Sequence, residues 1–241
     1  MPRFFTENID QNSGSITGED AKHIARVLRM KNGQPLTVCD TKGYDYACII
    51  EGITEEQIDL KVLSRSPSVT EPNVSVHLYQ AMPKADKLEL IIQKAVELGV
   101  NSITPVMTRR CVSRPDAKSM KKKLERYNRI ALEAAKQSGR GIIPQVNPLL
   151  ELDQALRQMQ QSGCPILFYE NATAPARQLL QSATGEIAIL IGAEGGFDED
   201  EVERAKVAGC SILSLGKRIL RCETAPLAAL SIIMYETGNM E

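Results

Sequence analysis

The 241-residue sequence predicts an α/β protein in which a parallel sheet follows a smaller, β-rich barrel. Beyond residue 73, apolar strand-like segments alternate with helical segments, an order typical of parallel sheets covered by helices on both faces. Before residue 64, short strands are separated by turn signals. Residues 64–73 contain two prolines and three serines, so the sequence predicts a linker between the two parts.

The N-terminal part contains one predicted helix and three predicted strands. The helix, residues 19–30, places His23, Val27 and Met30 along one side, and we interpret His23 as a packing histidine. In the strand at residues 58–63, apolar side chains alternate with other residues, the period of a half-buried strand. The other two strands are predicted at residues 36–40 and 46–50. This pattern indicates a small barrel with one helix.

The C-terminal part begins with a strand and an amphipathic helix. Apolar side chains recur every three or four positions within residues 84–99, and Gly99 is placed to end this helix. A longer helix is predicted from about Pro115 to Ser138, with a lysine-rich surface. The remaining helices are predicted near 151–162, 175–183, 198–208 and 224–237, and the strands at 76–82, 102–107, 165–169, 187–192 and 211–216.

The charge of the chain is unevenly distributed. The formal net charge is −1, yet residues 73–150 carry 14 Lys and Arg against 6 Asp and Glu, a local excess of +8. A polyanion responds to the field within a Debye length, roughly 8 Å at physiological salt, so this block is suited to bind phosphates. The alternative is a solvated helix face whose lysines serve solubility.

Membrane, metal and disulfide chemistry are not indicated. No apolar run reaches the roughly 18 residues of a membrane span, and the N-terminus lacks the layout of a secretory signal. We therefore expect a cytoplasmic protein with no membrane partner. The six cysteines form no CxxC pair and there are only two histidines, so we expect reduced thiols and no metal site.

Two glycine-containing turns follow predicted strands. The first turn, residues 192–197, lies within LIGAEGGF and fits neither GxGxxG nor a P-loop. The acidic residues Asp198 to Glu201 that follow it form a variant of the capping box and repel phosphate, which favours a ligand such as S-adenosylmethionine. The alternative is a tight strand-to-helix turn with no ligand.

The second turn, residues 215–224, lies within LGKRILRCETA. Basic side chains alternate there with Ile219 and Leu220, which indicates a loop folded inward rather than a solvated charge run. Surface solubility is the alternative. Ligands of open parallel sheets collect at the carboxyl ends of the strands. We therefore expect the two turns to close one pocket.

A set of ordered motifs carries a family resemblance. PRFF, HIARVLRM, QAMPKADKLELIIQKAVELGV, ITPVMTRRC, EAAKQSGR, LIGAEGGF and LGKRILRCETA span nearly the whole chain. Together they resemble the RsmE family of ribosomal RNA uridine-N3 methyltransferases, within the SPOUT superfamily. The resemblance implies a PUA-like RNA-binding β-barrel domain at residues 1–70. It also implies a SPOUT methyltransferase domain at residues 74–241, with a parallel sheet and a C-terminal deep trefoil knot.

The resemblance also implies the reaction and the partners. The cofactor would be S-adenosyl-L-methionine, with S-adenosyl-L-homocysteine as product, and the substrate a uridine N3 in 16S ribosomal RNA or the small ribosomal subunit. The family acts as a homodimer without a metal. Arg221 would face the uracil, and Glu223 or Glu194 would act as base or orient Arg221. Cofactor contacts are implied for Leu190, Gly192, Gly195, Gly196, Leu215, Gly216, Ile219 and Leu220. RNA contacts are implied for Arg3, Arg26, Arg29, Arg109, Arg110, Arg114, Lys121, Lys122 and Lys123.

The sequence departs from the family pattern at two positions. Ala193 stands where the family has proline, which removes a fixed φ but no functional group. Cys222 stands where the family has threonine, and a thiol replaces a hydroxyl only as a weak hydrogen-bonding group. A role at position 222 is therefore not carried over.

Three other interpretations remain open. One is a SPOUT enzyme that methylates a ribose 2′-hydroxyl or another base, which the two turns do not distinguish. Another is a non-catalytic RNA-binding factor in ribosome assembly, for which Cys222 is the one hint. A dehydrogenase is less well supported, because the dinucleotide fingerprint is missing.

Overall fold

The computed structural model describes residues 2–240, which divide into two compact units. Unit 1 contains the chain up to Glu71 together with Ala135–Ile143. Unit 2 contains Pro72–Ala134 and the chain from Pro144 onward. The predicted linker region thus contributes residues to both units.

Unit 1 is built on a five-stranded sheet in the order β1-β3-β4-β5-β2. The strands are β1 Arg3–Phe5, β2 Ser13–Thr17, β3 Pro35–Cys39, β4 Tyr44–Ile53 and β5 Gln57–Pro67. Strand β1 is parallel to β3, and the other pairs are antiparallel. The Ser15 amide donates to the Asn8 carbonyl at 2.8 Å, and the Thr6 hydroxyl donates to the Ser15 carbonyl at 2.8 Å. These bonds connect the segment after β1 to β2, so the chain that follows one edge strand of the sheet contacts the other edge strand.

The helix of unit 1 differs from its prediction. It consists of α1 Gly18–Lys22 and a π-helical turn His23–Val27, in which the Leu28 amide donates to the His23 carbonyl at 2.9 Å. Ala21 and Ile24 are buried, whereas His23 and Val27 are exposed. The predicted apolar face is therefore wrong for Val27, whereas Met30 packs against the core and the exposed His23 ring lies 6.3 Å from the ring of the buried Phe4. The helix buries the side that contains Ala21 and Ile24 within the apolar core.

The predicted linker is structured in its first part. Strand β5 continues to Pro67, and Glu71 accepts hydrogen bonds from the Gly141 and Ile142 amides at 2.6 and 3.1 Å. Arg140 Nη2 lies 2.7 Å from Glu71 Oε2, and Arg140 is almost fully buried. The predicted linker therefore contains the boundary between the two units, and its residues up to Glu71 belong to unit 1, where the partners of Glu71 lie about 70 residues away along the chain.

Unit 2 contains a seven-stranded sheet. Its strands are β6 Ser75–Ala81, β7 Ser102–Met107, β8 Gln145–Val146, β9 Leu150–Glu151, β10 Cys164–Phe168, β11 Glu186–Ile191 and β12 Ser211–Leu213. The order is β12-β10-β11-β6-β7-β8, and β9 also pairs with β7. Every pair is parallel, as predicted. The two-residue strands β8 and β9 were not predicted.

Six helices connect the strands of this sheet or follow them. They are α2 Lys87–Glu97, α3 Ala117–Ser138, α4 Leu152–Met159, α5 Arg177–Gln181, α6 Glu199–Val207 and α7 Ala225–Glu236. The end of α3, from Ala135 onward, belongs to unit 1. All were predicted to within three residues at most ends. Gly99 has a φ of 91°, a value suited to glycine at a helix end, as the sequence predicts.

The strand order positions the two turns. Strand β10 lies between β11 and β12, so the carboxyl ends of all three lie side by side at one edge of the sheet. The first turn leaves β11 there, and the second turn follows β12. No helix in the described range, residues 2–240, is long and apolar enough to cross a membrane.

Candidate active site

A cavity of about 450 Å³ opens where β10, β11 and β12 end. The first turn contributes residues from Gly192 to Gly196, and the second contributes Leu215, Gly216 and residues 218–222. The expectation that the two turns close one pocket is confirmed. Their convergence follows from the strand order, since β11 and β12 flank the same neighbour.

In the first turn, the main chain of Gly195 and Gly196 packs directly against neighbouring residues. A Cβ at Gly195 would lie 2.9 Å from Arg110 Cβ and 3.3 Å from the Arg110 carbonyl oxygen, too close for any side chain. Gly196 has a φ of 64°, and a Cβ there would meet the Glu170 carboxylate. Glycine is therefore required at these positions, because Arg110 and Glu170 pack directly against the main chain of the turn.

Gln80 supports the start of the first turn from the neighbouring strand. It is fully buried, pairs with Ile191 across the β6–β11 ladder, and donates from Nε2 to the Gly192 carbonyl at 3.3 Å. Its Oε1 has no hydrogen-bond partner among the described residues. Sequence reasoning missed Gln80, although a polar residue in an otherwise apolar buried strand is a usable signal.

The helix after the first turn is fixed by the predicted capping box. Asp198 accepts from the Asp200 amide, and the almost fully buried Glu201 accepts from the Asp198 amide at 2.9 Å. Glu201 also accepts from the Arg109 amide at 2.7 Å, and Arg109 Nη1 lies 3.0 Å from Asp198 Oδ1. The segment after β7 thus holds the start of α6.

The second turn begins with a local hydrogen bond from the Gly216 amide to Ser214 Oγ at 3.1 Å. Gly216 has a φ of 108°. Leu220 is half-buried, whereas Ile219 is 87% exposed although it lines the cavity. The expectation that both aliphatic residues fold inward therefore holds for Leu220 and is wrong for Ile219, which lies at the rim.

Lys87, which sequence reasoning missed, joins the two turns. Its Nζ lies 3.1 Å from Glu194 Oε1 in the first turn and 3.1 Å from Glu223 Oε2 in the second. Hydrogen bonds to Glu223 and then Glu194 raise the pKa of Lys87 above its usual value. Glu194 also accepts from the Lys84 amide at 3.1 Å.

Both carboxylates of this cluster are stabilised as anions. Burial acts to raise the pKa of Glu194, but its own amide, Lys87 and the Lys84 amide together hold the pKa below its usual value. The Cys222 thiol, followed by the Glu223 amide and Lys87, lowers the pKa of Glu223. The two candidate bases are therefore ionised at neutral pH.

Arg221 lines the same cavity and is exposed. Within residues 2–240 its side chain makes no hydrogen bond or ion pair. Neither Glu194 nor Glu223 orients Arg221, since both contact Lys87 instead. The guanidinium is therefore available to a ligand.

Two further residues change the predicted set. Leu190 does not line the cavity, because its side chain is buried in the core with Leu156 and Val202. The side chain of the next residue along the strand, Ile191, lines the cavity instead, so a contact of Leu190 with the cofactor would involve its main chain and stays a prediction. Glu170, which was not predicted, lines the cavity from the end of β10.

The predicted RNA-binding residues fall into two groups. Arg3, Arg26, Arg109, Arg110 and Arg114 already have partners: Asp45, Glu55, Asp198, the Gly195 carbonyl and the Thr108 carbonyl respectively. Arg29, Lys121 and Lys122 are exposed, and Lys123 is half-buried. Arg110 therefore supports the first turn directly, and the free surface charge of this set lies on Arg29 and α3.

Two family models match the chain. One, described as an RNA methyltransferase domain, matches residues 70–234, and the other, described as an RNA methyltransferase PUA domain, matches residues 16–63. A curated relative from Bacillus subtilis (strain 168), named ribosomal RNA small subunit methyltransferase E, is 36% identical over 98% of this chain and 97% of its own length.

Solved structures agree with this relationship. A ribosomal RNA small subunit methyltransferase E from Neisseria gonorrhoeae, bound to S-adenosyl methionine, is 30% identical with a TM-score of 0.87, over 98% of this chain and 97% of that chain. A methyltransferase from Legionella pneumophila in complex with the same cofactor is 30% identical with a TM-score of 0.84, over 97% of each chain.

Proposed function

Because the chain belongs to the RsmE family of RNA methyltransferases, we propose that it methylates N3 of a uridine in 16S ribosomal RNA with S-adenosylmethionine as donor. The observation that supports this most directly is the convergence of the two turns on one cavity that Arg221 also lines. The cavity combines a main-chain cradle with an unpaired cation, the two features that a nucleoside donor and an anionic base require.

The residues of the cavity fit the cofactor. Its volume of about 450 Å³ lies within the usual range of roughly 300–1,000 Å³ for ligand sites. When bound, S-adenosylmethionine supplies a methyl group activated by a positively charged sulfur. The residues we assign to hold it are Gly192, Gly195, Gly196, Leu215, Gly216, Ile219 and Leu220. Glu170 adds a carboxylate suited to a cationic ligand.

The charged residues of the site have separate roles in this proposal. Arg221 stabilises the negative charge that develops on the uracil ring. Glu194 lines the cavity, whereas Glu223 contacts it through Lys87, so we assign Glu194 as the acceptor of the N3 proton. Arg221 itself is no base, because a guanidinium stays protonated.

The finer features of the fold belong to the same proposal. Strand β12 lies beside β10 although β11 intervenes in sequence, and the Ser214 amide donates to the Ala174 carbonyl at 2.9 Å. This crossing supports a deep trefoil knot around the second turn. The exposed Ile232 and Tyr235 on α7 support a homodimer. Unit 1 corresponds to the proposed PUA-like domain that binds RNA, and we expect the protein to act in the cytoplasm.

One experiment tests the function directly. Purified protein is incubated with S-adenosylmethionine and undermethylated small ribosomal subunits, and the modified nucleotide is located by nucleoside mass analysis. We expect a single uridine that carries a methyl group on N3. A methyl group on a ribose 2′-hydroxyl or on another base would support a different SPOUT activity, and no transfer would support a non-catalytic RNA-binding factor.

A further inference from the structure

Lys87 reaches both turns of the candidate active site from helix α2. We propose that Lys87 is a positioning residue, which fastens Glu194 and Glu223 to α2 and leaves Arg221 free to meet the substrate base. The inference rests on the proposed function, because that function assigns Arg221 to the base. It adds a residue that neither turn contains.

The geometry makes Lys87 a link between three segments. Its ammonium lies 3.1 Å from one carboxylate oxygen in each turn and 3.6 Å from Cys222 Sγ. The next residue, Leu88, is fully buried, and α2 packs against α7, which begins directly after the second turn. The anchor is therefore rigid, whereas the two turns are irregular chain.

The unpaired state of Arg221 requires an explanation. Glu223 is two residues away from it, and Glu194 lines the same cavity. Carboxylates within hydrogen-bonding reach of a guanidinium form strong, often bidentate ion pairs, so both acids are candidate partners of Arg221. In this structure both carboxylates contact Lys87 instead. Lys87 thus competes with Arg221 for the two acids and keeps the guanidinium unpaired.

The charges around the cluster set the expected pH dependence. The titratable and charged groups that face it are Glu194, Glu223, Lys87 and Cys222, with Glu170, Arg218 and Arg221 on the same cavity wall. Without the ammonium, the two carboxylates would repel each other, and one would take up a proton at higher pH. The other would be released to pair with Arg221.

The test compares three single variants in the full-length chain. Lys87→Met removes the ammonium, and Lys87→Arg keeps the charge. Lys94→Met is the matched control on the same helix, because among residues 2–240 Lys94 forms an ion pair only with the nearby Glu97. Affinity for S-adenosylmethionine is measured by titration calorimetry between about pH 5 and 9, alongside kcat and KM.

We expect Lys87→Met to weaken cofactor affinity about tenfold, a typical coupling within one ion-pair network. Its kcat should fall more than its KM rises, and the acid limb of the kcat profile should move to higher pH. Lys87→Arg should recover most of the cofactor affinity and most of kcat, and Lys94→Met should match the wild type in both. The double variant Lys87→Met/Glu223→Gln should regain part of the lost affinity, because the repulsion is gone.

Three outcomes would overturn the inference. The first is a Lys87→Met variant whose cofactor affinity and whose acid limb of the kcat profile match the wild type. The second is a Lys87→Arg variant whose affinity and kcat are no higher than those of Lys87→Met. The third is a double variant whose loss of affinity equals the sum of the losses in the two single variants. If Lys87→Met does not fold, Lys87→Gln replaces it in the same comparison. A wild-type chain that transfers no methyl group contradicts the proposed function instead, and the calorimetry still decides the role of Lys87.

Discussion

Cys222 shows how one residue departs from the family pattern without removing a contact. Its thiol is buried and donates to Glu223 Oε2 at 3.2 Å. Burial first, and then the hydrogen bond to Glu223, raise the pKa of Cys222 to about 12, so the thiol stays protonated at any physiological pH. A weak donor therefore occupies the position of the hydroxyl, and this departure does not argue for a lost activity.

Arg221 is the residue on which the proposed chemistry depends most. We expect Arg221→Ala to lower kcat by about 10² to 10³, the usual effect of removing one group that stabilises developing negative charge. Cofactor affinity should stay nearly unchanged, because the assigned cofactor contacts are largely main chain. Methyl transfer and calorimetry measure the two effects separately. An active Arg221→Ala enzyme would remove this residue from the mechanism.

Gly195 tests the main-chain cradle of the first turn. Its missing Cβ would lie 2.9 Å from Arg110 Cβ, so Gly195→Ala must displace the turn or the Arg110 segment. We expect cofactor affinity to fall at least about tenfold, a displacement cost of roughly 1–3 kcal/mol. Gly163→Ala is the control, because a Cβ there would have only an ordinary contact at 3.8 Å. Equal cofactor affinities of the two variants would contradict the proposal that the main chain of the first turn binds the cofactor.

Residues of the site could be predicted where they lie in a contiguous sequence motif. They could not be predicted where their role depends on partners far away along the sequence. The glycines of both turns and Arg221 stand in contiguous strings, so the sequence located them. Lys87 and Gln80 contact residues more than 100 positions away, and no local pattern marks such pairs. Ile191, whose side chain lines the cavity, was not predicted, because the family motif names residues and does not say to which face of the strand each side chain points.

At the scale of elements, the periodic segments were predictable and the irregular ones were not. Helix α2 and the apolar strands have a clear period, so their types followed from the sequence. Strands β8 and β9 have two residues each, too short to show any period. The order β12-β10-β11 depends on contacts across the sheet, which the periodicity of single segments does not encode.

Glu201 connects helix α6 to the segment after β7, and its loss should destabilise both. Glu201→Ala would leave the Asp198 and Arg109 amides without their acceptor. We expect the free energy of unfolding to fall by about 2–3 kcal/mol, the lower end for two unsatisfied donors at about 1–3 kcal/mol each, because both donors are only part-buried. Urea unfolding measures this loss. Glu203→Ala on the same helix should change stability by no more than about 0.5 kcal/mol, because Glu203 is exposed and pairs only with Lys206. Similar losses in both variants would show that Glu201 is not the link.

At the scale of the whole molecule, the exposed basic residues that we expect to attract RNA differ from the residues that we expect to carry out methyl transfer. The chain is nearly neutral, but residues 73–150 carry the excess of +8. Several arginines of this block are engaged within unit 2, as Arg109 and Arg110 are at the first turn. The exposed lysines of α3 are therefore the part of the block best placed to meet phosphates.

The lysines at 121, 122 and 123 should set the salt dependence of RNA binding. Each phosphate contact to single-stranded RNA contributes about −0.7 to the slope of log affinity against log salt. Replacing all three by glutamine should therefore make the slope shallower by about 2, while methyl transfer at saturating RNA stays close to the wild-type rate because α3 does not line the cavity. Fluorescence anisotropy with a ribosomal RNA fragment at several salt concentrations gives the slope.

Lys206→Gln is the control, since Lys206 lies on α6 and is paired with Glu203. An unchanged slope in the triple variant would assign the lysines to solubility and would move the RNA contacts to the exposed Arg29 and the other basic residues of unit 1.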